Sequence, residues 1–292
     1  MSATRDSRRL IVIVTFEGAQ LLDVAGPLES FSLANRLRAE GPTERPPREW
    51  PYRIVVASRR GGMIRTNSGL PLETQSLRAV DRMGPIDTLI IGGGSGVHAA
   101  TTDQVLVAWI RRKAPKVRRV CSVCTGAFLL ATAGVLSGRR ATTHWKSCAR
   151  LGSEHPGVRV ETDPIYVNDG PVWTSAGVTA GIDMALALVE ADQGHRVAMH
   201  VARDLVVYLK RPGGQSQFSE PLSLQDARDD CFSNLHAWMA GHLNEDLRVE
   251  RLAQRAGMSP RTFARVYVAQ VGRTPAKTVA ALRLEAARRA LE

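Results

Sequence analysis

The sequence predicts an α/β domain built on a largely parallel sheet flanked by helices, followed by a small all-α domain carrying a helix-turn-helix. Three observations carry that expectation. Short, continuous apolar runs end in polar or Gly-rich residues, helical segments alternate with those runs, and the sequence beyond residue 232 is helical and basic. A chain of 292 residues is also too long for one small core and suits a large domain joined to a smaller one.

LIVIV (10–14) is an apolar run of the kind covered on both faces of a parallel sheet, and a helix is expected over about 22–36. YRIVVAS (52–58) and DTLIIGG (87–93) repeat the buried-strand signal, and helices are expected at 103–112 and 126–133. VRVETDPIYVNDG (158–170) reads as strand, Pro-containing turn and strand, with VWTSAG (172–177) close behind. GVTAGIDMALALVEADQG (177–194) is strongly helical, with Ile182, Ala185, Leu186 and Val189 on one side, and closes the first domain. VAMHVARDLVVYLKR (197–211) predicts one more amphipathic helix, and RPGGQSQFSEPLS (211–223) a linker. The expected boundaries are 8–192 for the first domain, 193–230 for a connecting helix and linker, and 231–292 for the second domain.

In the second domain, helices are expected around 234–242, 248–256 and 260–270, and AKTVAALRLEAARRALE ends the chain inside a long helix. Within LAQRAGMSPRTFARVYVAQVG (252–272), Leu252, Ala253 and Ala256 give one helix an apolar face, as Phe263, Val266 and Tyr267 do for the next. Gly257 permits the left-handed turn between them, Ser259 is placed to cap, and Pro260 suits the first helical position. Arg261, Thr262 and Arg265 then face away from the core. Arginine's fixed fork of donors fits base edges and phosphates, so double-stranded DNA is the expected partner; the bland alternative is a helical hairpin with a solvated basic face. Charge agrees with DNA: the chain carries a net +11, and residues 233–292 hold 10 Lys or Arg against 5 Asp or Glu.

No apolar run approaches the roughly 18 residues that span a bilayer, and MSATRDSRRL leads straight into the first strand, so a cytoplasmic protein without a membrane partner is expected. Four cysteines in this length are no disulfide framework. Cys121 and Cys124 have C-x-x-C spacing, but Cys121 shares a strand face with Val123 and is better explained as sheet filler. No metal or cofactor is expected. Cys148 and Cys231 are expected as buried or partly exposed thiols.

The candidate site centres on Cys124, where a β-like run meets Thr125, Gly126 and a helix. Such an elbow exposes a side chain above the sheet, and the helix N-terminus is expected to favour a thiolate. GGGSG (92–96) offers the backbone N–H groups of Gly93 and Gly94 to an anion, and Asp23 follows the first strand, whereas Glu29 lies farther down the helix. His144, 20 residues beyond Cys124, is either a pocket residue or a packed corner with Trp145. The expected ligand pocket is Asp23, Gly93, Gly94, Cys124, Thr125 and His144. No residue is assigned as catalytic, with Cys124, Asp23 and Thr125 as the candidates.

FEGAQLLDVAGPLE (16–29), IIGGGSG (90–96), CSVCTGAFLLATAGVLSGRRATTHW (121–145) and TSAGVTAGIDMALALVE (174–190) resemble the ThiJ/PfpI branch of the class I glutamine amidotransferase-like superfamily. That resemblance implies flavodoxin-like layers, places Cys124 at the elbow and sets Asp23 beside it. Proteases of the branch carry His after the cysteine, where this chain has Thr125. Asp23, Cys124 and Thr125 look instead like the arrangement of isonitrile hydratases, which leaves as alternative a cysteine-dependent enzyme, isonitrile hydratase-like or amidase-like, acting on a small carbon–nitrogen compound. The C-terminal block resembles the first of the two helix-turn-helix units of AraC-family domains, so either the chain is a truncated form of a longer one or it binds DNA with half of the usual apparatus. Together the halves look like GlxA-type transcriptional regulators. The implied protein is a homodimeric, sequence-specific DNA-binding regulator whose small-molecule effector binds near Cys124, with enzymatic turnover the secondary possibility.

Overall fold

The computed structural model describes residues 8–39, 51–210, 214–215 and 232–291; Cys231 and most of the 211–223 linker lie outside the described residues. Contacts divide the chain into two compact units, Met1–Arg211 and Pro212–Glu292.

In the first unit β1 (Arg9–Val14), β2 (Tyr52–Ser58), β3 (Gly62–Arg65), β4 (Pro71–Ser76), β5 (Thr88–Ile91), β6 (Arg119–Val123), β9 (Tyr166–Asp169) and β10 (Val172–Ser175) form one sheet in the order β3-β4-β2-β1-β5-β6-β10-β9. The six inner strands run parallel, and β3 and β9 pair antiparallel at the two edges. A short parallel pair, β7 (Arg140–Ala141) with β8 (Arg159–Val160), stands apart. The largely parallel α/β layering expected from the apolar runs is therefore present.

The alternation of LIVIV explains the layers. Val12 and Val14 face a core built with α3 (Val97–Thr102), α4 (Gln104–Lys113) and α5 (Gly126–Thr132). Ile11 and Ile13 face α1 (Leu21–Ala39), α7 (Ala180–Gln193) and α8 (His195–Asp204). All four side chains are fully buried, and each contributes about 1.5–3 kcal/mol of apolar burial. Two short helices, α2 (Leu77–Val80) and α6 (Cys148–Glu154), complete the first face.

One expected helix is shorter than the pattern implied. Instead of running over 197–211, α8 ends at Asp204, because Val206 takes a left-handed backbone (φ 56°) and Val207 N–H reaches back to Ala202 C=O (2.9 Å). This is the hydrogen-bond pattern that stops helices at a C′ residue, a place usually held by glycine. The helix is also packed into the first unit through Ala198, Val201 and Ala202.

From β1 the chain moves outward to β2 on one side, and β5 lies on the other. The loops after β1 and β5 consequently meet at the carboxyl edge where strand order reverses, the usual ligand position in open α/β sheets. β6 delivers Cys124 to the same edge.

The second unit contains α9 (Ser233–Gly241), α10 (Val249–Arg255), α11 (Pro260–Val271) and α12 (Pro275–Leu291). Leu252 and Ala253 of α10 and Phe263 and Tyr267 of α11 are buried with Phe232, Leu235 and Met239. Between α10 and α11, Gly257 adopts φ 66° and the Ser259 hydroxyl accepts from Thr262 N–H (3.2 Å), with Pro260 in the first turn. Joint and cap sit where the sequence predicts them.

Candidate functional site

Cys124 itself occupies the left-handed region (φ 55°), a strained backbone for a residue with a side chain. Surrounding bonds hold the turn in place: Cys124 N–H donates to Ser175 C=O (2.9 Å), and the Thr143 hydroxyl donates to Cys124 C=O (2.7 Å).

Asp23 is fully buried beside it, in the first turn of α1. One carboxylate oxygen accepts from Gly93 N–H (3.1 Å), the other from Val178 N–H (2.7 Å), and the carboxylate also accepts from the Cys124 thiol. Burial outweighs these three donors and pushes the carboxyl up to about 6. The Cys124 thiol is pushed up to about 12, first by burial and then by the charge of Asp23, against the opposing Thr125 N–H and hydroxyl. The expected thiolate is thus reversed: at neutral pH the sulfur is a protonated donor to a carboxylate, because desolvation exceeds the pull of the α5 N-terminus.

Asp23, Gly93, Gly94, Cys124 and Thr125 are brought together, but the glycine N–H groups are not open to a ligand anion. Gly93 N–H is held by Asp23, and Gly94 N–H donates to the Thr125 hydroxyl (2.9 Å), which donates in turn to Gly94 C=O (3.1 Å). His144 is not joined to the cluster. Its Nδ1 accepts from Lys146 N–H (3.4 Å), its ring stacks on Trp145, and burial together with Lys146 lowers its pKa. Among the described residues no hydrogen bond links it to Asp23 or Cys124. Cys121 is buried in the core with Val123, its thiol pushed up to about 12 chiefly by burial; Cys121, Cys124 and Cys148 are all free thiols. Among the described residues no three His, Cys, Asp or Glu side chains are grouped to hold a metal ion.

Sequence reasoning missed Val178, Thr143 and Ser175, all of which hold the Asp23–Cys124 pair through bonds distant in sequence. The available signal was Gly177, a lone glycine two residues beyond the end of β10.

On α11 the side chains of Arg261, Thr262 and Arg265 are exposed. Among the described residues neither arginine makes an ion pair, while the Thr262 hydroxyl accepts from Ser259 (2.9 Å).

The raised carboxyl predicts a pH effect of definite sign. Below about 3.8 Asp23 is protonated folded and unfolded, whereas above about 6 the folded state carries the buried charge, so its contribution to stability falls as pH rises through that window. The two-unit difference corresponds to about 3 kcal/mol. Asp23→Asn should gain about that much relative to the parent between pH 4 and pH 7, measured by urea unfolding; a pH-independent difference would refute the buried charge.

Residues 9–191 match the DJ-1/PfpI family. Over 94% of this chain there is 28% identity to the HTH-type transcriptional regulator CdhR of Pseudomonas aeruginosa, covering 77% of that protein. The HTH-type transcriptional regulator Rv1931c of Mycobacterium tuberculosis is 33% identical over 71% of this chain and 81% of its own length. Among solved structures, a ThiJ/PfpI family protein from Pseudomonas syringae superposes with a TM-score of 0.58 at 24% identity, covering 71% of this chain and 78% of that one, a likeness of fold. Among the described residues no helix is long and apolar enough to cross a membrane.

Proposed function

Because the chain belongs to the DJ-1/PfpI family and joins that domain to a helix-turn-helix unit resembling those of GlxA/AraC-type regulators, we propose that it is a DNA-binding transcriptional regulator controlled by a small metabolite. The observation that carries this reading is the outer face of α11: a capped helix presenting Arg261 and Arg265, neither ion-paired among the described residues, beside Thr262 to solvent. The helix would enter the major groove of operator DNA, with the arginines on base edges or phosphates. Two protomers would present two such helices to a two-fold operator. The effector would act at the carboxyl edge of the sheet near Asp23, Cys124 and Thr125.

The protonated thiol favours sensing over turnover. Burial and then the charge of Asp23 push the Cys124 thiol up to about 12, so it does not rest as a thiolate, and turnover would need Asp23 to take its proton during attack.

Fluorescence anisotropy on DNA from the upstream region of the chain's own operon tests the DNA assignment. Arg261→Ala and Arg265→Ala should each weaken binding by about 1–3 kcal/mol, with a flatter salt dependence for whichever contacts phosphate. Affinity unchanged in both variants would overturn the assignment. Repeating the titration with a metabolite panel while monitoring consumption of each compound separates effector from substrate.

A further inference from the structure

Beyond the Asp23–Cys124 cluster, the carboxyl edge of the sheet holds a hollow. A cavity of about 400 Å³ lies at the ends of β1 and β2, bordered by the loop Thr15–Glu17, by Ser58–Gly61, by β3 and by α3 and α4. None of its lining residues belongs to the pocket predicted from sequence. Its walls are mixed. Phe16, Ile64, Ala100 and Leu106 are buried apolar side chains, and Met63 is exposed at the rim.

The polar groups bordering it are unequally committed. Ser58 is hydrogen-bonded to Thr74 (2.7 Å) and accepts from Gly61 N–H (3.2 Å). Asp103 caps α4 by accepting from Val105 and Leu106 N–H (3.1 and 3.2 Å), and its other oxygen pairs with Arg59 (3.1 Å). Glu17 accepts from Arg65 N–H (3.0 Å). Two groups remain. Arg60 is exposed and makes no ion pair among the described residues, and the fully buried Thr15 hydroxyl has no hydrogen-bond partner. Native interiors seldom leave a hydroxyl unsatisfied, and a buried one beside a roomy cavity marks a place where a partner belongs.

We propose that this cavity is a binding site for a small aliphatic carboxylate bearing a second hydrogen-bonding group, an oxo- or hydroxy-acid. Arg60 takes the carboxylate through its forked donors, the Thr15 hydroxyl satisfies the second group, and the chain of the ligand lies on Phe16, Ile64 and Leu106. The volume suits a compact metabolite and is small for a nucleotide. The site is independent of whether α11 binds DNA.

The test is a titration of the full chain with 2-oxopentanoate, and with pentanoate and 2-pentanone as partial ligands, followed by backbone amide chemical shifts. Saturable shifts in residues 15–17 and 58–64 are expected with 2-oxopentanoate, with roughly tenfold weaker binding for each partial ligand. Arg60→Gln should weaken binding by roughly ten- to a hundredfold. Thr15→Val should weaken it several-fold while leaving thermal stability equal or higher, because it removes an unsatisfied buried hydroxyl, and this separates a ligand effect from misfolding. Absence of saturable binding at millimolar ligand, or affinity unaffected by Arg60→Gln, would overturn the proposal. So would binding that survives Arg60→Gln and disappears in Cys124→Ala, which would move the ligand to the other cluster. Shifts identical for all three compounds would indicate solvent filling and count against it equally.

Discussion

Asp192→Ala is expected to destabilise the first unit by about 3–5 kcal/mol, the usual cost of removing one partner from a buried ion pair. Asp192 sits in the last turn of α7, an unfavourable place for an anion next to the negative end of a helix, with its side chain entirely buried. Three arginines compensate. Arg119 donates to one carboxylate oxygen at 2.6 Å, Arg118 to the other at 2.9 Å, and Arg9 lies 3.0 Å away as an ion pair without hydrogen-bond alignment. The Tyr52 hydroxyl donates as well (3.1 Å). Arg118 is 43% exposed and retains Asp87, so its share is screened and replaceable. Arg119 is only 6% exposed, and without Asp192 its charge would keep Thr88, the Leu188 carbonyl and a distant Asp87. Most of the expected loss is therefore the stranded Arg119.

The same carboxylate gives an acid dependence opposite to that of Asp23. Burial acts to raise the Asp192 pKa, but Arg118 and Arg119 together hold it below the ordinary carboxylate range. Stability from Asp192 is then fully present at neutral pH and is lost only as pH falls through that lowered value, below about 3.8. Urea unfolding of Asp192→Ala and Asp192→Asn at neutral pH tests the assignment. A loss under about 1 kcal/mol in Asp192→Ala would mean that Arg119 finds solvent or another partner, and that the cluster is peripheral.

What the sequence discloses follows from burial. β1, β5 and the strand before Cys124 are visible because strands covered on both faces are largely apolar. β3 and β4 are not, because the edge strand β3 and its neighbour β4 bury few side chains, and GMIR and PLETQS carry no run to recognise. The end of α8 was hidden for a different reason: Val206 occupies the left-handed stop position without the glycine that would announce it. In the second unit each signal is local, with Gly257, Ser259 and Pro260 within four positions, so the joint was found. The cluster around Cys124 is legible in the elbow after a buried strand, the glycine run and Asp23, and the resemblance agrees with it, but its state of protonation is not. Asp23 meets Val178 across 155 positions, and neither that bond nor the desolvation of both acids follows from any spacing. The glycines of GGGSG illustrate the same limit, since their N–H groups serve Asp23 and Thr125.

Gly177→Ala is expected to cost about 2–6 kcal/mol, combining left-handed strain with overpacking. Gly177 has φ 93°, and a β-carbon there would lie 2.2 Å from Cys124 Cβ, 2.6 Å from its Cα and 2.8 Å from its sulfur. Cys124 cannot yield easily, because its own left-handed turn is pinned from both sides by Ser175 and Thr143. The loop after β10 must move instead, drawing Val178 N–H away from Asp23. Gly194→Ala is the matched control: Gly194 has a similar φ of 85°, and an added β-carbon meets nothing within 4 Å. Gly194→Ala should therefore carry only the backbone strain, about 1–3 kcal/mol. Thermal unfolding of both variants, with peptide-resolved alkylation of Cys124, separates the two contributions. A larger loss in Gly177→Ala, together with faster alkylation of Cys124, is the expected result. Equal losses and equal alkylation would show that close packing against Gly177 does not hold the cysteine in place.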